Sequence, residues 1–148
     1  MSTPLYNVRR FLPIDLHLIR PQPQQVAEME QLKLIPWDLY EQSGFAYTLE
    51  RDGIPVGCGG MMWLWPGVGE GWMVISDSVK SARLIPLFRQ MKAGIDAEME
   101  GGAQRVQAKI KSDFKAAHRW AKMLGLEFEG TMRKYGHDGV DYCLYSRI

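Results

Sequence analysis

Between residue 105 and the C-terminus the hydrophobic spacing switches from a two-residue repeat to a helical one and back. Val106, Ala108 and Ile110 alternate with Gln107, Lys109 and Lys111, which predicts a half-buried strand over 105–111. Phe114, Ala117, Ala121 and Leu124 then form a stripe at intervals of three and four, predicting a helix over 113–124 with Ser112 or Asp113 as N-cap. Gly125 ends that helix. Two strands follow, over 126–135 and 140–147, joined at Gly136-His-Asp-Gly139.

The central part follows the same logic. Leu84, Leu87, Phe88, Met91, Ile95 and Met99 predict a long amphipathic helix closed by Gly101 and Gly102. Pro86 has no N–H to donate, so it belongs in the first turn, which puts the helix start near Ala82 or Arg83. A loop over 66–71 and a short apolar strand over 72–76 precede it. Further back, Phe45, Tyr47 and Leu49 alternate with Ala46, Thr48 and Glu50, and Arg51-Asp-Gly-Ile supplies the positive φ angles of a tight hairpin. The return strand over 56–65 holds Gly57, Gly59 and Gly60. Such glycines mark a bulge or the close approach of a backbone, a ligand or a packed helix. The N-terminal part says less. A strand over 5–12 ends at Pro13, and Val26, Met29 and Leu32 share a helical face. Pro21, Pro23 and Pro36 keep any helix short, and 37–41 fits one or two helical turns.

Composition narrows the class without adding chemistry. At 148 residues, with 46% hydrophobic and 24% charged, the chain fits one globular domain. A net charge of +1 offers no field to gather nucleic acid or anionic lipid, so neither nucleic acid nor membrane is expected as a partner. No apolar run approaches the ~20 residues of a membrane span, and the first residues lack the basic start and apolar core of a secretion signal. Cys58 and Cys143 stand far apart without a sulfur or histidine at metal-ligand spacing, and His17, His118 and His137 are scattered. Two reduced, buried thiols, no metal and a cytoplasmic location are therefore expected. The nucleophile elbow, the phosphate-binding Gly-Lys loop and the His-Glu-x-x-His pair are all missing.

The whole order (β, short helices, β–β hairpin, β, α, β, α, β, β) implies an α/β chain of the α+β kind: one mixed sheet of about seven strands with helices on both faces. With Met123-Leu-Gly-Leu-Glu-Phe-Glu-Gly130 at the end of the last helix, that order resembles the GNAT superfamily of acyl-CoA-dependent N-acyltransferases along nearly the full chain. The resemblance implies a single GNAT-like acyltransferase domain over 1–148, with acetyl-CoA as co-substrate. Its acetyl group would pass to a primary amine, on a small molecule or a protein, by direct attack in a ternary complex. A shorter likeness links Ala117-His-Arg-Trp-Ala-Lys-Met-Leu-Gly125, Glu129-Gly, Asp138-Gly and Leu144-Tyr-Ser-Arg to compact GNAT-like proteins encoded by tailed bacteriophages. Some of those are virion or morphogenesis components. The alternative it implies is a non-catalytic structural or assembly protein, partnered by a virion component or a second copy, in the host cell or the virion.

By position the family's fourth and fifth strands are 72–76 and 106–111, with the acetyl group in a V-shaped gap between them. The resemblance assigns backbone of Met73, Val74 and Ile75 to the thioester and pantetheine. Lys80, Ser81, Ala82 and Arg83 it assigns to the pyrophosphate, because free N–H groups at a helix start favour an anion. The family's Gln/Arg-x-x-Gly-x-Gly/Ala pattern is not kept: 76–83 contains no glycine, and Asp77 would repel an anion. Attack by an amine also needs a group to take a proton. Glu70, just before the fourth strand, matches the family's glutamate; a solvated loop carboxylate is the alternative. Where the family commonly carries an acidic Tyr, this chain has Trp120-Ala121. His118 is the substitute, or else a structural histidine beside the apolar stripe. Tyr142 and Tyr145 read as packing residues. Lys109, Lys111, Lys115, Arg119 and Lys122 read as a solvated basic face. Trp63, Trp65 and Trp72 read as an acceptor pocket, a protein contact or core filling.

Overall fold

Alternation builds the first hairpin of a computed structural model that describes residues 3–37 and 44–148. Most of the turn expected over 37–41 falls outside those residues. β1 (Tyr6–Arg10) pairs antiparallel with β2 (Gly44–Arg51), and β2 returns as β3 (Ile54–Trp65). Between them Asp52 and Gly53 hold φ at 49° and 83°, the tight turn that Asp-Gly predicts. β4 is Val68–Ile75 and β5 is Arg105–Lys111. The loop expected over 66–71 therefore shrinks to Pro66 and Gly67, and the strand starts four residues before the expected Trp72. Gly69 and Gly71 resemble loop residues, yet they sit in the sheet. A Cβ on Gly69 would come within 2.5 Å of the Met61 sulfur, so glycine there answers a packing demand.

The helices are α1 (Asp15–Leu18), α2 (Val26–Lys33), α3 (Ile85–Glu100) and α4 (Lys115–Met123), and β6 (Glu127–Met132) and β7 (Tyr142–Arg147) close the chain. A tight 3-10 turn over Ser81–Leu84 precedes α3, which moves its α-helical start from the expected Ala82–Arg83 to Ile85, with Pro86 in the first turn. Neither Ser112 nor Asp113 caps α4. Its N-cap is Phe114, whose ring is buried edge-on to Trp120 at 5.3 Å, so core packing sets the entry of that helix.

The seven strands form one mixed sheet in the order β1-β2-β3-β4-β5-β7-β6, in which β4 and β5 are the parallel pair. On one face Leu87, Phe88, Met91 and Ile95 of α3 and Ala117, Trp120 and Ala121 of α4 pack on Ile75, Val106 and Ile110. On the other face Leu16 of α1 and Met29 of α2 pack on Cys58 and Val74. The strand glycines serve this packing. A Cβ on Gly59 would lie 2.9 Å from both the Met91 sulfur of α3 and the Trp72 carbonyl, and one on Gly60 only 2.0 Å from the Phe45 carbonyl of β2. Close approach of a helix and a strand explains Gly59 and Gly60, and beside Gly57 the β2–β3 register slips between Leu49 and Glu50, so the expected irregularity is present as well.

Candidate active site

β4 and β5 run together only briefly. Val68, Gly69 and Glu70 pair with Arg105, Val106 and Gln107, and beyond that the two strands share no register. The segments 72–76 and 108–111 are thus the two arms of a split. In a parallel pair both strands feed helices at the same end, so the starts of α3 and α4 lie at the open end of the split, where α/β folds bind ligands.

Past Glu70 the edge of β4 that faces the split is left without a strand partner, and backbone groups there need one. The chain supplies it from the segment Arg20–Gln25. Asp77 N–H donates to Arg20 O (3.0 Å), Gln22 N–H donates to Ile75 O (3.0 Å) and Gln22 Nε2 donates to Ser76 O (3.0 Å). The Gln25 carboxamide completes the row: its Nε2 donates to Met73 O (2.8 Å), and Ile75 N–H donates to its Oε1 (3.0 Å). Val74 points the other way and is buried against α1 and α2. Of the three residues expected to meet a thioester arm, only Met73 and Ile75 present backbone groups to the split, and that edge is covered by Gln25.

Alternation puts Glu70 on the α1/α2 face with Trp72 and Val74. It lies within β4, opposite Met62 and Gln107, not in a loop before it. Its Oε1 accepts from Gln107 Nε2 (3.2 Å) and pairs with Lys109 Nζ (3.3 Å), and Lys109 also donates to the Tyr135 hydroxyl (2.7 Å). Burial works against the Lys109 ammonium, but Tyr135 and Glu70 outweigh it and raise its pKa. Nearby, the Tyr142 hydroxyl at the start of β7 donates to Glu28 Oε1 of α2 (3.2 Å). Burial raises the Glu28 carboxyl above its ordinary value against the pull of Tyr142, Lys111 and Lys109, and burial beside Glu28 raises the phenol. A polar cluster of Glu28, Glu70, Gln107, Lys109, Tyr135 and Tyr142 thus lies where the strands part.

His118 is elsewhere. It lies on α4, across the sheet from Glu70, and both ring nitrogens are occupied. Nε2 stands 3.0 Å from the Ser112 carbonyl, which can only accept, and Nδ1 stands 2.7 Å from the Tyr145 hydroxyl. With Nε2 carrying the proton, Nδ1 accepts from Tyr145, and the ring ties α4 to β7. The structure does not bring the two expected proton-transfer residues together.

The α3 start is open to an anion in some respects. No side chain caps the 3-10 turn or the helix, and Lys80, Ser81, Ala82 and Arg83 are exposed. Asp77 is neutralised by Arg20 (2.9 Å). Two features work against binding. The Arg83 amide is spent on Lys80 O (2.9 Å), and its guanidinium lies over the Tyr6 ring at 5.1 Å. Cys58 is buried with its thiol pKa driven up, first by burial and then by Asp15, and Cys143 is half-buried, so neither is a ready nucleophile. Among the described residues no group of His, Cys, Asp or Glu could hold a metal, and no helix is long and apolar enough to cross a membrane. Trp72 is core: it meets Phe11 at 5.2 Å and Trp37 at 5.0 Å, while Trp65 is 61% exposed.

Comparison with known proteins is decided by shape. No protein-family model matches the chain, and no curated protein matches it in sequence. Solved structures do. A GNAT-family acetyltransferase of Streptococcus pneumoniae superposes with a TM-score of 0.70 at 14% identity, over 97% of this chain and 99% of that one. The fold is the GNAT fold. A ribosomal-protein-S5-alanine acetyltransferase of Vibrio fischeri matches at TM-score 0.67 and 17% identity, over 99% and 97% of the two chains. A Salmonella typhimurium protein solved with its cofactor acetyl-CoA matches at 0.66 and 15%, over 96% and 92%. Sequence reasoning missed Glu28 as a site residue and left Tyr142 as packing. The two are 114 positions apart, and only the sheet order brings them together.

Proposed function

We propose that this GNAT-fold chain, as one acyltransferase domain over 1–148, transfers an acetyl group from acetyl-CoA to a primary amine by direct attack. The observation that carries the reading is the parting of β4 and β5 after Glu70 and Gln107, at the end of the sheet where the uncapped α3 start also lies. The residues fit the co-substrate in kind. Lys80 and the exposed N–H groups of Ser81 and Ala82 would hold pyrophosphate, and Met73 O with Ile75 N–H would pair with an amide of the pantetheine arm. Acetyl-CoA supplies an activated acyl group with a thiolate as leaving group. The work left to the protein is to place an amine and take its proton. Glu28 suits that proton better than Glu70. Burial raises its pKa, and among the described residues it meets no Lys or Arg within ion-pair distance, whereas Glu70 is already engaged by Lys109 and Gln107. His118, held at both nitrogens, supports the fold. The acceptor, a small molecule or a protein amine, is met on the α1/α2 face, beside this cluster.

The test is acetyl transfer to polyamines, peptide N-termini and aminoglycosides by wild type, Glu28→Gln, Glu70→Gln and His118→Ala. A base contributes about 10²–10⁴-fold, so Glu28→Gln should lose that much of kcat along with the rising limb of the pH profile. Loss confined to Glu70→Gln would return the role to Glu70. One observation favours a second reading, a GNAT-fold protein kept for binding or assembly: the chain's own segment covers the β4 edge. No transfer by wild type to any acceptor, together with no coenzyme A binding, would select it. The structural relatives named above are bacterial, so a phage source rests on the short motif likeness alone.

A further inference from the structure

The segment Arg20–Gln25 imitates a ligand. Gln25 is 3% exposed, yet it is a polar side chain that does nothing for the apolar core around it. Its carboxamide offers one donor and one acceptor to Met73 O and Ile75 N–H, the pair any amide-bearing chain would use to dock on this edge. Ile75 has a single N–H, so Gln25 and an incoming amide cannot both be bound there. The segment is suited to closing and opening as a unit. Pro21 and Pro23 fix φ and remove two donors, which lowers the entropy lost on docking, and Pro23 opens a 3-10 turn over Pro23–Gln25 that carries Gln25 to the β4 edge. Gln22 is the donor between them, and the Pro21–Ser76 bridge and the Arg20–Asp77 ion pair hold the segment's start. The closed form is not fully satisfied. Gln24 Oε1 is buried without a hydrogen-bond partner, a penalty that opening removes. Three residues further, Glu28 fastens the same helix start to β7 through Tyr142.

We infer that Arg20–Gln25 is a displaceable strap, an internal competitor whose Gln25 carboxamide must leave Met73 and Ile75 before an amide-bearing acyl carrier can dock on β4. This rests on the acyl-CoA reading of the split. In the closed form Glu28 is tied down on the α1/α2 face.

Hydrogen exchange and calorimetric titration with coenzyme A test it on wild type, Gln25→Ala and Gln22→Ala. In wild type, saturating coenzyme A should release protection of the Gln22 and Gln25 amides while Ile75 stays protected by its new partner. That measurement needs no variant. Gln25→Ala should exchange faster at Ile75 without ligand and bind coenzyme A about tenfold tighter, the effect of removing two competing hydrogen bonds. Gln22→Ala, which keeps Gln25, should fall between. Binding by Gln25→Ala alone would mark a strap too tight for wild type to open unaided and would support the proposal. Equal affinity in all three proteins, with strap protection unchanged by ligand, would overturn it and leave the acyl-CoA reading standing. No binding by any of the three would overturn both.

Discussion

Asp15 shows how a polar side chain can be buried at a profit to the fold. Its carboxylate is fully covered and accepts from both terminal nitrogens of Arg9 (2.8 and 2.9 Å), the Thr48 hydroxyl (2.7 Å) and Leu12 N–H (2.9 Å). Burial alone would raise its pKa, but these donors outweigh burial and lower it. Through them α1 is pinned to β1 and β2. Asp15→Ala leaves the half-buried Arg9 guanidinium to Glu50 and strands the buried Thr48 hydroxyl, and should cost about 1–3 kcal/mol in a urea titration. The other instructive residue is Glu28. It lies in a stretch whose local pattern shows only Val26, Met29 and Leu32 on one face, and nothing near it in the sequence names its partner. Glu70 was legible because a family pattern points to it; its occupation by Lys109 was not. Glu28→Gln separates these roles without activity. A carboxyl with a raised folded pKa binds more protons folded than unfolded, so it lowers stability as pH rises above its ordinary value of 4.5. The stability of Glu28→Gln relative to wild type should therefore increase as pH rises from 4.5 to neutrality.

Among elements, those with a clean repeat were legible, although the α-helical start of α3 falls at Ile85 and not at Ala82–Arg83. α3 and β5 follow from Leu87, Met91, Ile95 and from Val106, Ile110, which pack as their spacing demands. The start of β4 was not, because Gly67, Gly69 and Gly71 carry no side chains to show alternation. At Gly67 the reason is the turn, with φ at 87°, and at Gly69 it is tertiary, because Met61 fills the space over it. For the same cause Gly60→Ala should be poorly tolerated. Its methyl would meet the backbone of Phe45 and Ala46, which cannot yield without breaking the β2–β3 ladder, and a loss of at least about 1–3 kcal/mol is expected on thermal unfolding. The Arg20–Gln25 strap was illegible for a further reason. Prolines announce irregular chain, but its partner edge exists only because β4 and β5 part.

At the scale of the whole molecule the strand and helix order was sufficient for the fold, since few topologies accommodate a hairpin followed by a right-handed β–α–β. Whole-molecule charge adds a pH dependence. Several carboxyls are held below their ordinary values: Glu50 by Arg9, Asp96 by Arg147 and Lys92, Asp138 by the Val140 N–H, and Glu129, at about 2, by Arg105. Each binds more protons unfolded than folded, so the stability they contribute is complete above about 4.5 and is lost as pH falls toward 2. Denaturant midpoints should drop steeply over that range, and salt should flatten the drop in part, because these pairs are partly exposed. The proposed acetyl transfer turns on the split between β4 and β5, and calorimetric titration with coenzyme A, with desulfo-coenzyme A beside it, tests it most directly. Saturable binding of both is predicted, weakened about tenfold to a hundredfold in Lys80→Ala/Arg83→Ala, with Lys80 the larger share because Arg83 is already drawn to Tyr6. No binding at millimolar coenzyme A, in wild type and in Gln25→Ala alike, would contradict an acyl-CoA site in this fold.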